Sequence, residues 1–187
     1  REERLAALLE SSRKFQNEVS DRLAEQFLHA LYELVRGFQA AHDVSRGELL
    51  RQQLDENPDE VYHALLTVIL RLVFLLYAEE RDMMPEDETF LQYYSVASLY
   101  ERLREDAALF PDTMDQRYGA WAQLLVLFRM VHDGAEAGSM QLPERHGVLF
   151  DPHRFPFLEG RPPGTVGEIQ ARIEPPLVPD GTIYRAL

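Results

Sequence analysis

One nearly unbroken apolar run constrains this chain more than anything else in it. In VILRLVFLLYAEERDMMP, residues 68–85, and in the four residues before it, only Thr67 and Arg71 interrupt the apolar residues between 64 and 78. A surface helix keeps a polar face for water, so this segment predicts a buried central helix that other helices enclose. Its start is marked by Asn57 as N-cap, Pro58 at the first helical position, Asp59 in the first turn and Glu60 closing a capping box. Its end is marked by Pro85, which disfavours helical geometry at Met84. The expected span is about 57–82, and the acids Glu86, Asp87 and Glu88 read as a solvated loop.

The flanks carry helical spacing as well. In residues 2–41, Leu5, Leu8, Leu9, Phe15, Val19, Leu23, Phe27, Leu28, Leu31, Leu34, Val35 and Phe38 recur at helical intervals. Ser11 and Ser12 favour a new N-terminus, so one long helix and two consecutive ones are both open, and Gly37 weakens the last turns. A short helix is expected over residues 45–54, with Ser45 as N-cap and Glu48 as its capping-box partner. Val96, Leu99 and Leu103 form the stripe of another helix over 95–108. Tyr118, Trp121, Leu124, Leu125, Phe128 and Val131 place a further one over about 114–132, stopped at Gly134.

Beyond Gly134 the character changes, for 8 of the 11 prolines and 7 of the 10 glycines lie between Asp133 and Gly181. Regular structure is expected to be sparse there, yet GVLFDPHRFPF, residues 147–157, carries enough apolar residues to lie against the bundle. Asp180 is the expected cap of a helix beginning GTIYRAL, and the chain stops about two turns into it. That end, and a start without Met, suggest a piece of a longer protein. The fold class expected is therefore all-α: a multi-helix bundle over residues 1–133 around a buried central helix, with an irregular Pro/Gly-rich segment over 134–187 packed on it and ending in the start of a truncated helix.

With 187 residues, 45% of them hydrophobic, the chain can bury one sizeable core. No cysteine is present, which removes disulfides, thiolate metal sites and thiol nucleophiles and fits a reducing compartment. The apolar run is shorter than the roughly 20 residues a bilayer needs and holds Arg71 at its middle, so no membrane segment is expected. The net charge of −13 is uneven: residues 1–54 hold 9 acids and 8 bases, 55–112 hold 14 and 4, and 113–187 hold 9 and 7. An acidic middle repels duplex DNA, whose binding depends on Lys and Arg.

Five residues stand out as interface or pocket candidates. Arg71 needs a carboxylate or other partner: it binds an anion in an interhelical pocket, pairs with a glutamate from a neighbouring helix, or lets its head reach solvent. Glu79 and Asp82 share a helix face and sit where the helix dipole disfavours acids, a hint that they answer a partner. Asp151 and His153, with His146 nearby, are the best metal candidates among loop residues, although no recognised ligand spacing is present. Nucleotide-binding GxxxxGK[ST] and GxGxxG loops, the hydrolase GxSxG and a PD…(D/E)xK nuclease setting are all missing. No catalytic, cofactor-binding or metal residue is assigned.

Three stretches in order carry a family resemblance. VILRLVFLLYAEERDMMP resembles a helix ending in Tyr-Ala-Glu, GVLFDPHRFPFLEG a Leu-Phe-Asp-Pro loop, and VPDGTIYRAL a helix start leading toward a methylase core. Together they are similar to the helical region of large bacterial adenine-specific DNA methylases of the type IIG restriction-modification kind, including phage-defence methylases of the BREX and DISARM type. The resemblance covers about residues 60–187. It implies a cytoplasmic bacterial protein whose parent uses S-adenosylmethionine, with cleavage of DNA by the parent left open, and this stretch as a non-catalytic connector docked to the methylase core and other domains. Duplex DNA would be contacted through the parent. The glycine-containing cofactor loop and Asn-Pro-Pro-Tyr type motif of such enzymes are not in these residues, so no catalytic residue carries over. A helical protein-interaction adaptor and, less well supported, a metal-dependent hydrolase using Asp151 and His153 are the alternatives.

Overall fold

The computed structural model describes residues 2–162 and 174–187. Helix α1 (Glu2–Val44) is a single helix that runs through Ser11 and Ser12 without a break. The short α2 (Arg51–Glu56) leads to the central α3 (Pro58–Glu80), then α4 (Glu88–Tyr93) and α5 (Val96–Leu109). A 3-10 turn (Pro111–Gln116) precedes α6 (Ala120–Asp133). An antiparallel hairpin of β1 (Ala135–Ala137) and β2 (Met140–Leu142) follows, then a 3-10 turn (Pro156–Glu159) and α7 (Asp180–Ala186). The fold is all-α, with an irregular C-terminal segment and one small two-stranded sheet.

One core runs through the described residues. The second half of α1 supplies Leu34 and Phe38, α3 supplies Leu65, Val68, Leu72 and Leu75, and α6 supplies Trp121, Leu124 and Phe128. The irregular segment contributes Phe150, Phe155, Phe157, Leu158 and Val178 to this same cluster. Phe38 meets the edges of Trp121 and Phe157 at centroid distances of 5.2 and 6.4 Å. The Trp121 indole N–H, which needs an acceptor once buried, donates to the Leu158 carbonyl at 3.0 Å. The packing expected of Leu5 to Val19 and the structure of residues 163–173 lie outside what is described.

Several boundaries differ from the sequence reading for local reasons. Residues 45–50 form turns, because the Ser45 hydroxyl donates to the His42 carbonyl at 2.7 Å and accepts from the Leu49 N–H at 3.0 Å. Glu48 pairs with Arg51 at 2.6 Å and closes no capping box. Asn57 occupies the N-cap position of α3 but makes no side-chain cap; Pro58 and the first-turn acids Asp59 and Glu60 mark that start. The acidic loop contains α4, whose N-cap is Asp87, accepting from the Thr89 N–H at 2.8 Å. Ser139, in the hairpin turn, donates to the same carboxylate, and these bonds hold Asp87 below the ordinary aspartate range. The helix expected over 114–132 is divided because Tyr118 forms an isolated antiparallel bridge with Pro179.

The largest departure concerns α3. Its composition and length would suffice to cross a membrane, with mean hydropathy 2.0, but half of its most apolar stretch is buried in the bundle. Ala64, Leu65, Val68, Ile69, Leu72, Leu75 and Ala78 face the core, while Tyr62, Leu70, Val73 and Tyr77 face outward. The helix is central yet enclosed on one side only.

Gly37 lies where α7 crosses α1. A Cβ there would sit 2.4–2.9 Å from the side-chain atoms of Thr182, inside any normal contact. Gly37→Ala should therefore destabilise the protein by about 1–2 kcal/mol, even though alanine is the better helix former by about 1 kcal/mol. In a Thr182→Ala background the cost should shrink by at least about 0.5 kcal/mol. Urea unfolding of the four proteins in the cycle measures both numbers.

Candidate functional site

Arg71 comes from the middle of α3 and is 3% exposed. Its Nε donates to the Leu149 carbonyl at 2.6 Å and its Nη2 to the Asp151 carbonyl at 3.2 Å. The guanidinium also lies 5.1 Å from the Phe128 ring centroid and 5.8 Å from that of Phe150. The sequence predicts a carboxylate, a bound anion or a head that reaches solvent; the acceptors are instead backbone carbonyls, which suit the planar fork and need no second buried charge. Burial lowers the Arg71 pKa to about 10, opposed by the charges of Glu159 and Asp151. Arg71 stays protonated below that value.

Glu159 is the acidic neighbour, and nothing in its sequence context announced it. It is 5% exposed and sits at the end of the 3-10 turn that supplies Phe157 and Leu158 to the core. Arg129 of α6 grips it with two bonds, 2.6 Å from Nε and 2.7 Å from Nη2. Arg161 adds a third from its own Nε at 2.6 Å and also donates to the Pro152 carbonyl. The Arg129 pKa is raised by the hydrogen bonding to Glu159. Such an enclosed arrangement is satisfied rather than reactive: acceptors and donors face each other, and the space beside Arg71, Phe150 and Glu159 is only about 10 Å³, room for one water at most.

Glu79 does answer a partner, and the partner is intramolecular. Near the C-terminus of α3 its carboxylate accepts from the Val96 N–H at 2.7 Å, the Ala97 N–H at 3.1 Å and the Ser95 hydroxyl at 2.9 Å. Ser95 caps its own helix by accepting from the Ser98 N–H at 3.2 Å. A carboxylate that is badly placed at the negative end of one helix is thus well placed at the positive end of the next. Asp82 does not share this role. It lies past the end of α3 at a left-handed φ of 54° and is exposed.

Asp180 behaves like Glu79. Pro179 occupies the N-cap position of α7, and the Asp180 carboxylate instead accepts from the Ala120 N–H at 2.8 Å, capping α6 across 60 residues of sequence. A second buried acid, Glu33 of α1, receives Arg185 of α7 at 2.6 Å and Arg36 at 3.3 Å. The sequence predicts Asp180 as the cap of its own helix; its bond to α6 and the Glu33–Arg185 pair have no sequence signature because each joins residues far apart in the chain, whereas Glu33–Arg36 is an ordinary i,i+3 pair.

The Asp151 and His153 pair serves the loop. Asp151 accepts from the His153 backbone N–H at 2.8 Å, and the His153 ring lies 3.4 Å from Arg161. Among the described residues no three His, Asp or Glu side chains converge as a metal site requires. His146 sits elsewhere, edge-on to His132 at 5.3 Å. No protein-family profile, curated protein or solved structure matches this chain.

Substitutions at Arg71, Glu79 and Glu80 separate structural work from exposed charge. Arg71→Ala takes the donor from two partly buried carbonyls and empties the space beside two phenylalanines, so it should cost about 2–5 kcal/mol, with Arg71→Lys recovering less than half. Because folding lowers the Arg71 pKa, the unfolded chain holds more protons only above about pH 10, where stability should rise with pH; the residue adds no slope at neutral pH. Glu79→Ala should cost about 1–2 kcal/mol through the lost cap on α5, while the adjacent exposed Glu80→Ala stays within about 0.5 kcal/mol. Thermal and urea unfolding across pH distinguish these outcomes.

Proposed function

We propose that this chain is a non-catalytic helical connector of a bacterial DNA adenine methylase of the restriction-modification or phage-defence kind. Its part would be to hold the S-adenosylmethionine-dependent core and other domains in register, with duplex DNA contacted elsewhere in the parent. The observation that carries the reading is the interlocking of the three stretches behind the family resemblance. Arg71, in the first stretch, donates to Leu149 and Asp151 in the second. Trp121 and Asp180 then tie α6 to the second and third stretches. Segments that recur in order because they build one rigid unit would recur together.

The side-chain chemistry is in keeping with a structural role, since Arg71, Glu79, Glu159 and Asp180 all direct their polar atoms to helix ends, loop carbonyls or neighbouring arginines. The acidic middle suits docking to basic domains better than gripping phosphate. A protein-interaction adaptor unrelated to DNA modification is the second reading, favoured by the outward apolar face of α3.

The deciding experiment reads the coding sequence around these 187 residues for a cofactor loop and an Asn-Pro-Pro-Tyr type motif, and maps N6-methyladenine in the host genome with and without the gene. Both motifs in the same chain, and one sequence context losing its methylation on deletion, are expected. Neither motif and an unchanged methylation map would discard the methylase reading in favour of the adaptor.

A further inference from the structure

Tyr62, Leu66, Leu70, Val73 and Tyr77 follow one another along α3 at spacings of four, four, three and four. At 100° per residue they fall within roughly 80° of arc and extend over about 22 Å. Leu70, Val73 and Tyr77 are 51%, 56% and 53% exposed, and Tyr62 is as open. Leu66 is partly buried against the core and the other four are open; scattered exposed apolar residues need no explanation, but four of them on one arc over four turns are the footprint of helix-on-helix recognition.

The surroundings of the stripe are negative. Asp59 and Glu80 lie on the same arc and close it at either end. Leu76, at its border, leads into a groove between α3 and α5 with two lobes of about 410 and 520 Å³. Glu80, Asp82, Glu86, Glu101 and Glu105 line that groove. Of the four bases in residues 55–112, Arg71 is buried, Arg102 donates to Gln123 and Arg104 pairs with Glu101. The fourth, Arg81, lies over the Tyr77 ring at 5.3 Å.

We propose that this face of α3 docks an amphipathic helix whose apolar residues recur at helical spacing and whose flanks carry Lys or Arg. The occupant follows from charge complementarity. A second copy laid antiparallel on the stripe would set Asp59 against Glu80 at both ends, within a pair carrying twice the net charge of −13. An anionic bilayer is repelled by the same acids. This proposal deepens the docking role suggested above and rests on it, but names the partner's chemistry, which the methylase test does not read.

The probe is a fluorescein-labelled Leu/Lys peptide about three heptads long, with its Leu/Glu counterpart as control, titrated with the 187-residue protein and followed by anisotropy. The Leu/Lys peptide should bind and the Leu/Glu peptide should not. Leu70→Glu with Val73→Glu should weaken binding at least about tenfold, and Asp59→Lys with Glu80→Lys should both weaken it and flatten its salt dependence. Val148→Glu, on an equally exposed residue outside the stripe, should change it less than about twofold. Leu70→Ser with Val73→Ser repeats the apolar test without added charge, and circular dichroism checks each variant. Equal losses in stripe and control variants, or no binding at all, would overturn the proposal while leaving the methylation map to judge the connector reading. So would a dimer in sedimentation that the stripe variants dissolve, or binding to neutral phosphatidylcholine vesicles that they abolish.

Discussion

Burying the Arg71 guanidinium is the constraint around which the C-terminal part of this protein is arranged. An unpaired cation in the middle of an apolar helix costs several kcal/mol, so α3 can pack there only if something brings acceptors to it. The 149–151 loop brings two carbonyls, and with them Phe150, whose ring lies beside that of Phe128 at 6.0 Å and faces the cation with it. Once that loop is fixed, Phe155, Phe157 and Leu158 fall onto the core and Glu159 is carried under Arg129 and Arg161. A proline-rich stretch with little regular structure is thereby held by polar bonds at its start and apolar burial along its length.

Helix ends are managed in the same long-range manner. Glu79 caps α5 from the end of α3, and Asp180 caps α6 from the start of α7. Each bond satisfies N–H groups left without intrahelical partners and also fixes the position of one helix against another. A local cap, such as Ser95 on α5, does only the first of these. The borrowed caps explain how helices joined by a 3-10 turn and an isolated bridge keep a defined relation: the segment around Tyr118 is drawn to Pro179, and Asp180 then reaches the free end of α6.

What could be read in the sequence was whatever depends on neighbours. The apolar periodicities of α1, α5 and α6, the proline start of α3 and the glycine stop at Gly134 are local, and they gave the helical class and most of the long elements. The hairpin was too short to display alternation, with three residues in each strand. The α4 turn hid within an acidic cluster whose middle residue, Asp87, is its cap. Among the candidate residues, Arg71 was recognisable from the cost of burying it and Glu79 from its sign against the dipole, but their partners were not, since carbonyls at 149 and 151 and N–H groups at 96 and 97 have no sequence signature. Glu159 and Glu33 became visible only when distant segments met, and Asp180, legible as a cap, turned out to serve α6 rather than its own helix.

The apolar run itself shows where such reasoning overreaches. A helix without a polar face predicts neighbours on every side, yet the bundle covers α3 on one side and leaves Leu70, Val73 and Tyr77 to water. The same composition fits enclosure by this chain and enclosure by this chain plus something else, and periodicity cannot separate the two. Charge can. Exposed apolar stripes invite self-association, and acids at both ends and along the adjoining groove make two copies of this surface poor partners for each other. That pattern leaves the stripe available in a dilute acidic protein and complementary to a helix of opposite charge.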